Sequence, residues 1–135
     1  MRYFIIAGHS TIARGIYEAS KLIVGEQENV IVMETYLDKY YNLTDEVENL
    51  LSKFGSQDEV IVVTDLLGGS VNNQFSKYLG KLNMHIFTGM NLALLINLFL
   101  FKDSTIDELL EKFNEVRESS IVYVNGAISQ EEDFL

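Results

Sequence analysis

Short, largely apolar runs alternate with helix-like patterns along this chain, and that alternation limits the possible folds more than any other feature. A continuous apolar run is typical of a strand that is covered on both faces of a parallel sheet. The predicted strands, in order, are Tyr3–Ala7, Val30–Met33, Val60–Thr64, Met84–Phe87 and a short last one at Ile121–Val124. We therefore predict an α/β fold with an open, mostly parallel sheet and helices on both faces.

Helical periods occupy the segments between these strands. The first helix is predicted to end at Gly25, and the second to begin at Thr44, which precedes two acidic residues. The third helix follows two glycines and should reach about Leu79. The fifth begins with a capping box at Thr105.

Composition narrows the possible functions. The 135 residues fit a single domain, 1–135.

Cysteine is absent, which excludes disulfides and cysteine nucleophiles and is compatible with the cytoplasmic location that we expect. The net charge of -10 argues against a nucleic acid ligand, because such binding depends on lysine and arginine. An acidic surface suits a basic protein partner or simply keeps the protein in solution.

The segment Met90–Phe101 carries no charge, but its 12 residues are fewer than the roughly 20 that a membrane-spanning helix needs. We therefore expect a buried helix or an interface helix in this segment.

Ligands of an open parallel sheet bind beyond the carboxyl ends of its strands, where the strand order reverses. His9 follows the first strand closely, and Asp65 follows the third. If the strand order is 2-1-3-4, these two strands are neighbours at a spacing of about 4.8 Å. We therefore expect the His9 ring and the Asp65 carboxylate to reach hydrogen-bonding distance.

The residue types at these strand ends suit nucleophilic chemistry on an anion. A carboxylate that accepts the Nδ1 proton of His9 fixes the tautomer, leaves Nε2 bare and stabilises the positive charge of attack. Gly68 and Gly69 let the backbone approach a ligand closely. Ser70 can cap a helix whose free N–H groups favour an anion. Together these residues predict a nucleophile, the Asp65 carboxylate that orients it, and a binding site for a phosphoryl group.

Structural readings of the same residues stay open. A histidine after a strand is often a capping or packing residue, and an aspartate before two glycines is often part of a turn. His85, the only other histidine, lies inside the fourth strand and is interpreted as structural. Tyr36, Tyr40 and Tyr41 follow the second strand on the side of the site, where they line a partner surface or pack on their own domain.

Other kinds of site lack their usual sequence features. There is no GxxxxGK[ST] phosphate loop and no GxGxxG motif. Two histidines far apart in sequence and no cysteine make a metal site a weak hypothesis. We expect neither a metal nor a cofactor.

Four blocks occur in a recognisable order and spacing: Ile5–Ser10, Gly25–Val30, Asp65–Ser70 and Gly89–Leu92. Together they resemble the mannose-family enzyme IIA domain of the phosphoenolpyruvate-dependent sugar phosphotransferase system. The resemblance covers nearly the whole chain, so it implies a single enzyme IIA-like domain over 1–135.

The resemblance implies a phosphocarrier. His9 would accept a phosphoryl group on Nε2 from phospho-HPr and pass it to a cognate enzyme IIB, with membrane IIC and IID components as indirect partners. Asp65 would orient the ring, while Gly69, Ser70 and the neighbouring backbone would hold the phosphate. The family also implies a homodimer in which Ile121–Val124 crosses to the partner subunit and pairs antiparallel with its sheet. No metal or nucleotide would be needed.

Two positions depart from the family pattern, which often has proline where this chain has Val71 and Ala93. Proline would stiffen a helix start, so its loss affects rigidity and partner fit more than chemistry. Two related functions remain as alternatives. One is the phosphocarrier subunit of a dihydroxyacetone kinase, and the other is a regulatory module whose phosphorylation state is read by another protein.

Overall fold

Residues 1–131, which the computed structural model describes, contain one sheet of four parallel strands. The strands are β1 (Arg2–His9), β2 (Val30–Thr35), β3 (Glu59–Thr64) and β4 (Met84–Thr88). Their order is β2-β1-β3-β4, and every neighbouring pair is parallel. This confirms the predicted order and makes β1 and β3 neighbours at the point where the strand order reverses.

Six helices accompany the sheet within the same range. They are α1 (Ile12–Val24), α2 (Leu43–Leu51), α3 (Ser70–Ser76), α4 (Leu92–Leu100), α5 (Ile106–Ser119) and α6 (Val124–Glu131). Helices α1, α4 and α5 bury one face of the sheet, and α2 and α3 bury the other. Side chains alternate along a strand, so Phe4 and Ile6 of β1 pack in the first layer and Ile5 and Ala7 in the second.

The charge-free segment forms α4, which is a buried helix. Its buried residues, Leu94, Leu95, Leu98 and Phe99, join the core that α1 and α5 share. In the described part of the chain, no helix has the length and apolar character needed to cross a bilayer.

Two helix boundaries differ from the prediction. Helix α2 is capped by Asn42 and not by Thr44, because the Asn42 side chain accepts the Asp45 N–H at 3.1 Å. Helix α3 ends at Ser76, before Leu79, where the chain tightens into turns with hydrogen bonds between residues three apart. The cap at Thr105 is confirmed.

The predicted strand at Ile121–Val124 does not form in the single chain. Residues 121–123 have no regular secondary structure, and Val124 begins α6. A strand needs a neighbouring strand to pair its backbone groups, whereas a helix pairs them locally. Here the Ala127 N–H donates to the Tyr123 carbonyl at 3.2 Å. Pairing of this segment with a second subunit stays a prediction, and residues 132–135 lie outside the described range.

Candidate active site

His9 is the last residue of β1, and alternation places its side chain on the α2–α3 side of the sheet, with those of Ile5 and Ala7. Thr64, the last residue of β3, pairs with Ala7, which is two residues before His9. Asp65 comes directly after Thr64 and therefore lies close to the carboxyl end of β1. The His9 side chain is 43% exposed and that of Asp65 is 9% exposed. The imidazole is therefore accessible to an incoming group, while the carboxylate beneath it is shielded from solvent.

The expected contact between His9 and Asp65 is present. Asp65 Oδ2 lies 2.8 Å from His9 Nδ1 and also accepts the His9 backbone N–H at 2.8 Å. A carboxylate can only accept hydrogen bonds, so Nδ1 carries the proton in this contact and Nε2 is bare when the ring is neutral. The hydrogen bond from the His9 backbone N–H holds the Asp65 carboxylate in position whatever the orientation of the ring. The carboxylate in turn fixes the orientation of the imidazole through Nδ1.

Gly8 makes this close approach possible. A Cβ at Gly8 would lie 3.2 Å from both Cβ and Cγ of Asp65, and only 2.6 Å from Cγ2 of Ile12. Any larger residue would therefore displace the carboxylate or the start of α1. Gly8 is not among the predicted site residues, although its position directly before His9 is a signal in the sequence.

Ser70 has a different role from the predicted helix cap. Gly69 occupies the cap position of α3, and no side chain caps that helix. The Ser70 hydroxyl instead lies 3.4 Å from His9 Nε2 and 2.8 Å from the Tyr36 hydroxyl oxygen. It therefore faces the ring nitrogen that Asp65 leaves bare.

Gly68 and Gly69 shape the turn that leads into α3. Gly68 has a φ of +79°, in the left-handed region that favours glycine. The Gly69 N–H donates to the Leu66 carbonyl at 3.1 Å, so that donor is already used within the turn. The N–H groups of residues 70–72 have no acceptor within the helix, because they belong to its first turn. These groups are the backbone donors that remain for an anion at this end of α3.

Of the three tyrosines that follow β2, Tyr36 lies in the site. Its ring stacks on the His9 imidazole, with centroids 5.4 Å apart and planes at 21°. Tyr41 packs edge-on against Tyr36 at 5.2 Å, and its burial, with the Glu46 carboxylate nearby, raises the pKa of the Tyr41 hydroxyl. Tyr40 is 81% exposed. The sequence did not separate Tyr36 from the other two.

His85 lies away from these residues. It is in β4, where it pairs with Ile61, and its Nε2 is 4.0 Å from Glu59 Oε2. In residues 1–131 there is no group of three His, Cys, Asp or Glu side chains that could hold a metal ion.

Comparison with known proteins identifies the family of this chain. A family model named EIIA-man and described as the PTS system fructose IIA component matches residues 3–114, a range that contains His9, Asp65 and Ser70. The chain belongs to this family. It is an enzyme IIA (EIIA) component of the sugar phosphotransferase system (PTS), and the resemblance predicted from four sequence blocks is confirmed.

Individual relatives from the phosphotransferase system cover most of the chain. A crystal structure assigned to a phosphoenolpyruvate-dependent PTS permease from Klebsiella pneumoniae is 34% identical, with a TM-score of 0.88 over 94% of this chain and 93% of that one. The EIIA component from Streptococcus agalactiae is 26% identical, with a TM-score of 0.81 over 93% and 99%. The fructose-specific EIIA component of Bacillus subtilis is 23% identical over 86% of this chain and 82% of that protein.

Proposed function

We propose that His9 carries a phosphoryl group on Nε2, accepts it from phospho-HPr and passes it to a cognate enzyme IIB. The observation that carries this proposal is the 2.8 Å contact between His9 Nδ1 and Asp65 Oδ2, because it leaves Nε2 as the free nucleophile. Membership of the EIIA family supports the reaction class, and the exposure of the ring allows a protein donor to approach.

The proposed step needs no proton transfer on this chain. The Nε2 lone pair attacks the phosphorus of a phosphohistidine on HPr, a new N–P bond forms, and the N–P bond of the donor breaks. The donor imidazole keeps the bonding electrons. The His9 Nδ1–H stays bonded to Asp65, whose negative charge stabilises the positive charge that develops on the ring. Transfer to a histidine of enzyme IIB follows the same path with His9 as the leaving group.

The phosphoryl group would be received at the start of α3. It carries a charge of about -1.5 to -2, so it needs hydrogen-bond donors. The Ser70 hydroxyl, 3.4 Å from Nε2, and the N–H groups of residues 70–72 would donate to its oxygens. Gly68 and Gly69 contribute through the shape of the turn. A helix N-terminus contributes only about 0.3–1 kcal/mol at an exposed site, and such modest stabilisation suits a group that must be passed on.

The proposal retains the expected cytoplasmic, single-domain homodimer. Four consecutive apolar side chains near the C-terminus support a second copy as partner: Ile121, Val122, Tyr123 and Val124 are 81%, 53%, 77% and 57% exposed in the single chain. Burial of these side chains against another subunit would be favourable.

Radioactive phosphoenolpyruvate with enzyme I and HPr tests the proposal directly. We expect the protein to acquire a phosphate that is lost in acid and kept in base, as for a phosphohistidine. His9→Ala should abolish the label, and His85→Ala is the matched control because these are the two histidines of the chain. Label that persists in His9→Ala would exclude His9 as the acceptor.

A further inference from the structure

Tyr36 contacts the reactive histidine by two independent routes. Its ring lies on the face of the His9 imidazole, with centroids 5.4 Å apart. Its hydroxyl oxygen lies 2.8 Å from Ser70 Oγ, which in turn lies 3.4 Å from His9 Nε2. One side chain therefore touches both the nucleophile and the hydroxyl that faces it.

The backbone holds Tyr36 in this place at the expense of an unfavourable conformation. His9 pairs with Thr35 in the register of β1 and β2, and the Ser10 N–H donates to the Thr35 carbonyl at 2.8 Å. The Thr35 hydroxyl donates to the Gly8 carbonyl at 2.9 Å. Tyr36 follows with a φ of +60°, which non-glycine residues rarely adopt. Such a conformation persists only where the surroundings fix it, and it is enriched at functional sites.

The direction of the hydrogen bonds follows from the tautomer. Because Asp65 receives the Nδ1 proton, His9 Nε2 is an acceptor, so the Ser70 hydroxyl must be the donor in its contact with the ring. Ser70 has a single hydroxyl proton, so its oxygen accepts from the Tyr36 hydroxyl. A donor that itself accepts a hydrogen bond is polarised and donates more strongly.

We propose that Tyr36 is a positioning residue for phosphoryl transfer, acting through Ser70 and through the imidazole ring. Its hydroxyl fixes the Ser70 O–H so that the proton points at Nε2, and towards a phosphoryl oxygen once that atom is phosphorylated. Its ring holds the plane of the imidazole and presents a π face to the positive charge that develops there. This inference rests on the proposed phosphorylation of His9.

Four variants separate the two contacts: Tyr36→Phe removes only the hydroxyl, Tyr36→Leu also removes the ring, Ser70→Ala removes the intermediate hydroxyl, and a double variant combines Tyr36→Phe with Ser70→Ala. Tyr40→Phe is the matched control, since it deletes the hydroxyl of an exposed tyrosine in the same loop. Thermal unfolding of each variant establishes that it is folded. Rapid-quench transfer from labelled phospho-HPr, over a range of concentrations, gives the saturating rate and the apparent affinity separately.

We expect Tyr36→Phe to lower the saturating rate about 3- to 10-fold, the loss typical of one neutral hydrogen bond, with the affinity for phospho-HPr unchanged. Tyr36→Leu should be slower than Tyr36→Phe, and Tyr40→Phe should match the wild type. In the Ser70→Ala background, Tyr36→Phe should have no further effect. An equal loss in both backgrounds, or a change in affinity alone, would overturn the positioning role.

A measurement on the unphosphorylated protein keeps this inference separable from the proposed function. We expect the ¹⁵N resonance of His9 Nε2 to move in both Tyr36→Phe and Ser70→Ala, because both weaken its hydrogen bond. A resonance that stays in place in Tyr36→Phe would overturn the relay. If wild-type His9 acquires the phosphate label and Tyr36→Phe transfers it at the normal rate, only this inference is overturned. If the wild-type protein acquires no label, the proposed function is overturned and this inference falls with it.

Discussion

Replacement of Asp65 by asparagine tests the electrostatic part of the site while preserving its shape. Asp65 Oδ2 accepts both the His9 Nδ1–H and the His9 backbone N–H, each at 2.8 Å, so the new amide must keep its oxygen in that position. The NH2 group then takes the place of Oδ1. That atom is buried and has no hydrogen-bond partner among residues 1–131. The variant therefore retains the orienting contact, loses the charge and buries an unsatisfied donor.

The magnitude follows from these contacts. A hydrogen bond to a charged group contributes about 1.5–3 kcal/mol, compared with about 0.5–1.5 kcal/mol between neutral groups. The difference of about 1–2 kcal/mol acts most strongly when the ring becomes positive, so transfer to His9 should slow about 5- to 30-fold. Oδ1 is already unpartnered in the wild type, so the loss of stability comes from the two hydrogen bonds to Oδ2 becoming neutral, and it should be about 1–2 kcal/mol for each bond.

Two measurements separate these effects. Rapid-quench labelling from phospho-HPr gives the transfer rate, and urea unfolding gives the stability. Asp58→Asn is a matched control, because Asp58 also accepts a backbone N–H, that of Gly55 at 2.9 Å, but lies outside the site. The control should transfer at the wild-type rate. A rate for Asp65→Asn within twofold of the wild type would refute the reasoning and leave Asp65 as a turn residue.

Two further predictions concern the surroundings of the site. Gly8→Ala should slow transfer and destabilise the fold by about 1–3 kcal/mol, because the added methyl group would press on Asp65 and Ile12. Labelling measures the transfer rate, and urea unfolding measures the stability. A variant with normal rate and stability would show that the carboxylate does not need this space. Burial raises the pKa of Tyr41 above its ordinary value of 10.0, so the folded state favours the protonated phenol. The contribution of this protonated phenol to stability is complete below pH 10.0 and is lost as the pH rises towards the pKa of the folded state. The free energy of unfolding should therefore fall more steeply above pH 10 in the wild type than in Tyr41→Phe, and parallel curves would contradict this.

The sequence predicted the sheet and the His9–Asp65 pair because both depend on local patterns. Apolar runs identify strands in a covered parallel sheet, and the residues that follow neighbouring strands meet at one edge. Prediction was weaker where several local choices compete. At the start of α2, the sequence allows either Asn42 or Thr44 as the cap. At the start of α3, it allows either Gly69 or Ser70. Only the packed structure selects one residue in each case.

Tyr36 and the C-terminal segment illustrate a second limit. The stacking of Tyr36 on His9 depends on a left-handed backbone angle, which no pattern predicts for a tyrosine. The segment Ile121–Val124 has the composition of a strand, but strand formation depends on pairing with a neighbouring strand, and within residues 1–131 this segment pairs with none.

A buried polar network beneath the site explains how the start of α3 is held beside His9. The Thr64 hydroxyl at the end of β3 donates to Asn72 Oδ1 of α3 at 2.8 Å. It lies 2.8 Å from the Thr88 hydroxyl, from which it accepts because its single proton is already used. Thr64 is fully buried and Asn72 nearly so, and leaving either group unpaired would be costly.

This network ties β3, β4 and α3 together beneath the site. Asp65 and Ser70 lie between Thr64 and Asn72 in sequence, so the hydrogen bond between Thr64 and Asn72 restrains both ends of the segment that carries the two groups facing the imidazole. The site thus combines a fixed carboxylate behind the ring with a longer, 3.4 Å contact in front of it. Tight geometry at Nδ1 and looser geometry at Nε2 supports the proposed phosphocarrier role, in which Nδ1 would keep one proton throughout and Nε2 would alternate between a bare and a phosphorylated state.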